Sequence, residues 1–390
     1  LIAGAALVLA QFCVSLMWWW LTRRQAERER NVSGLWLVFS GLVFAVFVGF
    51  DLFTYEYAYV RDFAAPLRFL NSVVPPLLRG FRGFGLIVLL LAVVLAALPM
   101  VQTRKRIPWA NAPFLQTIGG LLVVIAAAIG TAYAARPLIV TPVREVAALR
   151  VATYNIHAGR NEFFYHDLEA LAQTIERSGA DVVLLQEVDA GRLTSFSVDQ
   201  PLWLARRLQM DTRFFATNEG LQGLAVLSKV PIVFDDGALL TSIGSQTGLQ
   251  RVQVRPDDSV ITVYNTWLGL LVGGVGDTLE AQESDQQNQL TEILGIIALH
   301  HQGGTLGRTV VGGTFNNIPD SDLAQRMRDL GFADPFADLP PVLSDTFWQT
   351  TRRARLDYLW LVNLPGLQAI ALDSAASDHR LAVVEVAITR

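Results

Sequence analysis

The sequence predicts a multi-span α-helical membrane region followed by one α/β domain, and three observations carry that prediction. With 52% hydrophobic residues and a mean hydropathy of +0.37, the 390-residue chain is too apolar for an ordinary water-soluble protein. The excess is concentrated in four long apolar runs before residue 135. From Arg150 the pattern changes abruptly to short β-rich runs alternating with helical spacings, as expected of helices covering the faces of a sheet. The boundaries that follow are a membrane region over 1–135, a linker over 136–148 and a folded domain over 149–390.

The first apolar run, Ile2 to Leu21, ends in Trp18-Trp19-Trp20 and then Arg23-Arg24, an aromatic belt and a basic stop. A signal peptide would carry its basic cluster before the apolar run, so this order predicts a span. Further spans are predicted at Leu35–Phe53, Phe84–Met100 and Leu115–Ala135, four transmembrane helices in all. Opening on Leu1, already apolar, the chain is expected to be preceded by more sequence. Tyr55 to Arg82 suits either a segment lying in the interface or a connecting loop. Counting basic residues flanking the spans, seven on one side against six on the other, the positive-inside rule places the C-terminal domain outside the cytoplasm. Ionisable residues gather at the ends of the runs, which favours anchoring or subunit packing over transport. The expected partners are therefore the lipid bilayer and other membrane-protein subunits.

Charge and cysteine narrow the function classes. Residues 136–390 carry 20 basic residues against 30 acids, so bulk nucleic acid, whose binding rests on phosphate neutralisation, is disfavoured as a partner. Cys13 is the single cysteine and lies in the first apolar run, which excludes a disulfide framework or a thiolate metal site.

In the C-terminal part, strands are predicted at Leu149–Asn155, Asp181–Glu187, Leu224–Ser228, Val260–Trp267, Thr309–Gly312, Leu356–Leu361 and Leu381–Ile388. Helices are predicted at Asp167–Ser178, Pro201–Leu208, Glu283–His301 and Asp320–Leu330. Polar residues cluster at strand ends: Asn155, Glu187, Asn265, Asn316 and the pair Asp378-His379, with Asp357 inside a strand. Converging at one edge of a sandwich, such a set can hold a divalent cation and position a phosphate. In Val310-Val311-Gly312-Gly313-Thr314-Phe315-Asn316, two glycines allow a sharp turn after a buried strand, a place where a hydrolytic centre would carry a carboxylate instead of Thr314. Gly269 to Gly276 reads as an apolar excursion near the site mouth, and His300-His301 as residues meeting a helix C-terminal dipole.

Seven segments, in order and spacing, resemble the motifs of the endonuclease/exonuclease/phosphatase superfamily. They are Tyr154-Asn155-Ile156-His157, Leu185-Gln186-Glu187-Val188, Gly223 through Lys229, Tyr264-Asn265-Thr266, Gly313-Thr314-Phe315-Asn316, Arg355-Leu356-Asp357-Tyr358 and Ser377-Asp378-His379. The resemblance implies a four-layer α-β-β-α sandwich and a metal-dependent phosphoesterase centre. It assigns Glu187, Asn155 and Asp378 to Mg or Mn, and Asp357, His379 and Asn316 to catalysis. It places Asn265 and His157 at the substrate.

Two positions depart from the family pattern. Thr314 stands where the family has an aspartate that orients and deprotonates the nucleophile, and Trp267 stands where it has a histidine beside the phosphate. A positioned acid–base group contributes about 10²–10⁴ in rate and a phosphate-stabilising donor about 10²–10³. Losing both predicts a protein that is inactive or nearly so, serving as a binding or structural subunit of a membrane assembly. The competing expectation is an active phosphodiesterase or transferase on lipid head groups, motivated by the retained Glu187, Asn316, Asp357 and His379.

Overall fold

The computed structural model describes residues 147–388 apart from short gaps, the helix Phe114–Ala134 (α1), and scattered positions before it. Three of the four predicted spans, isolated positions apart, and the Gly269–Gly276 excursion beyond Leu271 lie outside the described residues. The fourth is α1, 21 residues without an acid in its first turn or a base in its last, with Leu121, Leu122, Val123 and Ile129 exposed. Counting only described residues, no helix is long and apolar enough to cross a membrane. α1 and the β-rich part belong to different compact units of the chain.

The C-terminal unit is built on two sheets. The first comprises β1 (Ala148–Asn155), β2 (Val182–Asp189), β3 (Asp211–Asn218), β4 (Gln222–Ser228), β12 (Gly366–Leu372) and β13 (Leu381–Ala387), in the order β12-β13-β1-β2-β4-β3. The second comprises β5 (Ile232–Leu239), β6 (Gly248–Val254), β7 (Ile261–Trp267), β8 (Thr309–Thr314) and β11 (Asp357–Val362), in the order β11-β8-β7-β6-β5. β1 with β2 and β7 with β8 pair in parallel; the remaining neighbours are antiparallel. A two-stranded ribbon, β9 (Phe347–Trp348) with β10 (Arg353–Ala354), stands apart.

Strand composition explains the layering. In β1, β2 and β8 both faces are largely buried, and their Val and Leu side chains serve two cores at once. Val151, Leu184, Val226, Val263, Val310 and Val384 meet between the sheets. Ala152, Leu185 and Leu227 on the reverse face of the first sheet pack on Leu171 and Ile175 of α2 (Leu168–Ser178) and Leu204 of α3 (Gln200–Leu208). Val311 and Trp360 pack on Leu290 and Ile293 of α4 (Leu279–His300) and Met327 of α5 (Asp322–Asp329). The result is the α-β-β-α sandwich. α2, α3, α4 and α5 begin on Asp167, Asp199, Thr278 and Ser321, whose side chains accept from backbone N–H groups of the first turn, each worth about 1 kcal/mol.

All seven predicted strands and four predicted helices are present, with ends shifted by a few residues; α4 starts four residues before Glu283. Six strands were not predicted: β3, β5, β6, β9, β10 and β12. β3, β5 and β12 are sheet edges whose side chains are mostly half-buried or exposed, so they lack the long apolar run of a strand buried on both faces.

Candidate active site

Register brings the sequence-predicted residues to one end of the sandwich. Asn155 pairs with Gln186 across β1 and β2, Trp267 with Thr314 across β7 and β8, and Thr314 with Asp357 across β8 and β11. A bulge between Leu185 and Val188 interrupts the β2–β4 ladder and puts Glu187 at φ +52°, which turns its side chain off the sheet rhythm. Asn316 and His157 also sit at positive φ, +52° and +45°. Three non-glycine residues in the left-handed region at one strand-end cluster is the pattern of a functional site. Gly313, at φ +133°, lies so close to β7 that a Cβ there would stand 1.9 Å from the Thr266 carbonyl oxygen, so no side chain fits.

Two hydrogen-bonded groups form the centre. In the first, Asn155 Nδ2 donates to Glu187 Oε1 at 2.9 Å and Trp267 Nε1 donates to the same oxygen at 3.0 Å. The orientation of the Asn155 amide is fixed because its Oδ1 accepts from the His157 backbone N–H at 3.0 Å. In the second, Thr314 Oγ1 donates to Asp357 Oδ1 at 2.6 Å, and His379 Nδ1 lies 2.7 Å from Asp357 Oδ2. Asn155 Nδ2, at 3.3 Å from Thr314 Oγ1, joins the two groups. Asp378 is held by Ser377 Oγ at 3.3 Å and Gln349 Nε2 at 3.2 Å, with His157 Nδ1 at 3.5 Å. Asn316 Nδ2 donates to the Leu268 carbonyl at 2.8 Å, which pins the turn and occupies that amide N–H.

Burial by itself would lower the pKa of His379, but the Asp357 carboxylate against its ring, reinforced by Asp378 and Glu187, holds it up at about 9. That lies above the value of about 6.5 expected in the unfolded chain. The imidazolium's contribution is thus fully present below pH ~6.5 and is lost as pH rises through ~9, on the order of 3 kcal/mol in all. Thermal unfolding of the domain is expected to show a falling midpoint between about pH 7 and pH 10, a slope that His379→Gln removes.

One predicted role needs correction. Asn265, expected at the substrate, is fully buried. Its Oδ1 accepts from Gln186 Nε2 at 2.8 Å, and its Nδ2 donates to the Leu185 and Ala225 carbonyls, both at 3.0 Å. Since Leu185 and Ala225 belong to the first sheet and Asn265 to the second, the amide latches the sheets together and has nothing left for a ligand. His300 and His301 do close α4, in its last turn and as its C-cap, and both also meet Tyr264 Oη, His300 Nδ1 at 3.1 Å and His301 Nε2 at 3.3 Å. Gln186 was given no role on sequence, yet it joins Thr153, Asn265 and Thr314. An uncharged polar residue directly following the apolar run Val182–Leu185 was the available signal.

The donor set does not suit the Mg or Mn that the resemblance implies. A hard divalent cation needs several oxygen ligands free to turn toward it. Here Glu187 Oε1 already accepts two N–H donors, both oxygens of Asp357 and of Asp378 are engaged, and Asn155 turns its nitrogen toward Glu187. Among the described residues no three His, Cys, Asp or Glu side chains gather as a metal group.

Comparison with known proteins follows the same C-terminal stretch. Among solved structures, the chain is similar to an endonuclease/exonuclease/phosphatase from Beutenbergia cavernae, at 21% identity and TM-score 0.49, covering 62% of this chain and 72% of that one. It is also similar to the human Nocturnin catalytic domain solved with bound sulfate, at 20% identity and TM-score 0.47, covering 63% and 97%. An endonuclease/exonuclease/phosphatase from Bacteroides vulgatus matches at 15% identity and TM-score 0.49, covering 63% and 100%. Among curated proteins, none matches. The sequence profile of the Endonuclease/Exonuclease/phosphatase family matches residues 152–379, more than half the chain, and the protein belongs to that family.

Proposed function

We propose that this chain is a membrane-anchored member of the family whose phosphoesterase centre is sealed, and that its C-terminal domain serves as a binding or structural module within a membrane assembly. The observation that carries this reading is the indole of Trp267. Its N–H sits 3.0 Å from Glu187 Oε1, an oxygen the family would give to a metal, and an indole is a donor only. Thr314 completes the closure: its hydroxyl donates to Asp357 and, having no useful basicity at neutral pH, takes no proton from a nucleophile.

The anchor reading rests on the four long apolar runs of the sequence before residue 135. The basic-residue count supports an extracytoplasmic position for the C-terminal domain.

The test is turnover. Full-length protein with Mg²⁺ or Mn²⁺ is expected to hydrolyse bis(4-nitrophenyl) phosphate no faster than its Glu187→Ala variant. Calorimetric titration is expected to show metal binding strengthened in Trp267→Phe, which frees Glu187 Oε1. Hydrolysis by the natural chain that Glu187→Ala abolishes would overturn the sealed-site reading. It would favour the second reading, an active phosphodiesterase with lipid head groups as the proposed substrates, which the Asp357–His379 contact at 2.7 Å also favours.

A further inference from the structure

Beside the sealed centre, the loop 161–166 displays Phe163, Phe164 and Tyr165 in succession, 65%, 68% and 72% exposed. Three neighbouring aromatics in water are unusual in themselves, and this loop holds them there. Asn161 Oδ1 accepts from the backbone N–H of Phe163 at 2.9 Å and of Tyr165 at 3.0 Å, while Asn161 N–H donates to the Tyr165 carbonyl at 3.0 Å. A β-bridge between Arg160 and His166 closes the base. Phe164 takes φ +62° to point outward, a backbone position that disfavours a bulky side chain. Phe196, also at positive φ and 73% exposed, extends the group through a His166 contact at 5.2 Å.

The loop is clamped to the turn of the β9–β10 ribbon. Both carboxylate oxygens of Glu162 accept from Thr350, one from its backbone N–H and one from its hydroxyl, each at 2.8 Å. That ribbon carries two exposed cations, Arg352 over the Phe347 ring at 5.7 Å and Arg353 over Trp348 at 3.9 Å. Exposed aromatics and arginines therefore share one rim. Phe347 packs on His379 at 5.1 Å and Phe164 on His157 at 5.5 Å, so the rim rests on the candidate site.

We propose that this rim is a membrane-docking surface, with Phe163, Phe164, Tyr165 and Phe196 entering the interfacial layer of a phospholipid bilayer and Arg352 and Arg353 meeting lipid phosphates. Aromatic rings favour the depth where one side is apolar and the other wet, and arginine matches phosphate with paired donors. The C-terminal part as a whole is acidic, so a cationic rim on it is complementary to an anionic surface against the trend of its own composition. Covalent reach permits the contact. β1 enters at the end opposite the site and is about 26 Å long at 3.3 Å per residue, while the 13 residues between Ala134 and Ala148 span up to about 45 Å.

The proposal extends the membrane reading above, and its test separates the two. Full-length protein with Cys13→Ala and Tyr165→Cys is spin-labelled and reconstituted in vesicles of phosphatidylcholine with phosphatidylserine; Leu367→Cys on β12, 59% exposed, is the control. Accessibility to lipid-soluble oxygen relative to a water-soluble nickel chelate is expected to rise several-fold at Tyr165→Cys and to stay at its aqueous value at Leu367→Cys. An aqueous label at Tyr165→Cys in protein that resists alkaline carbonate extraction overturns the docking rim and leaves the anchor standing. A lipid-exposed label in protein that carbonate releases supports the rim and overturns the anchor. Protein that does not float with vesicles at all overturns the rim.

Discussion

Asp357→Ala is expected to lower the stability of the C-terminal domain by about 3–5 kcal/mol, the usual result of leaving a buried charge without its partner. For a domain of this size that is a fall of about 10 °C in the thermal midpoint. Asp357 is 2% exposed and His379 is 5% exposed, so neither has water to fall back on. The carboxylate also accepts the Thr314 hydroxyl at 2.6 Å, and the truncation orphans that donor as well. Asp357→Asn keeps the size of the group and is expected to lose less. A loss below about 1 kcal/mol for Asp357→Ala would mean that the pair is solvated and that the buried ion pair described here does not exist.

Gly313→Ala is expected to be the most damaging single methyl group in the domain, beyond about 5 kcal/mol. The added Cβ meets backbone on β7, with the Thr266 oxygen at 1.9 Å and the Thr266 carbon and nitrogen at 2.9 Å, and backbone in a paired strand does not move aside as a side-chain tip would. The φ of +133° adds strain of its own. The expected observation is protein recovered largely as aggregate or protease-sensitive chain. Gly307→Ala, where a Cβ meets nothing within 4 Å, should behave as the natural protein. A soluble Gly313→Ala protein with an unchanged midpoint would contradict the register of β7 on β8.

How much of this was legible in the sequence depends on how many faces a segment buries. β1, β2 and β8 bury both and announce themselves as apolar runs. β5 leaves Val233 and Phe234 exposed and contains Asp235 and Asp236, so its pairing with β6 is a consequence of register that periodicity does not reveal. In the site, the positions were readable because they follow strands, but their partners were not. That Thr314 lies across from Asp357 requires knowing that β8 and β11 are neighbours, and that Trp267 reaches Glu187 requires knowing how the two sheets face. Asn265 shows the limit most clearly. A polar residue inside an apolar strand looks the same in sequence whether it meets a ligand or bridges two sheets, and here it bridges.

The engagement of Glu187 Oε1, Asp357 and Asp378 by neighbouring donors bears on what the domain requires from its surroundings. A protein whose carboxylates repel one another until an ion arrives gains stability with ion concentration and loses it to a chelator. In this site the negative charges are met from within, by the His379 ring, an indole, a hydroxyl and two amides. The folded state is therefore expected to keep its thermal midpoint when divalent ions are removed by a chelator.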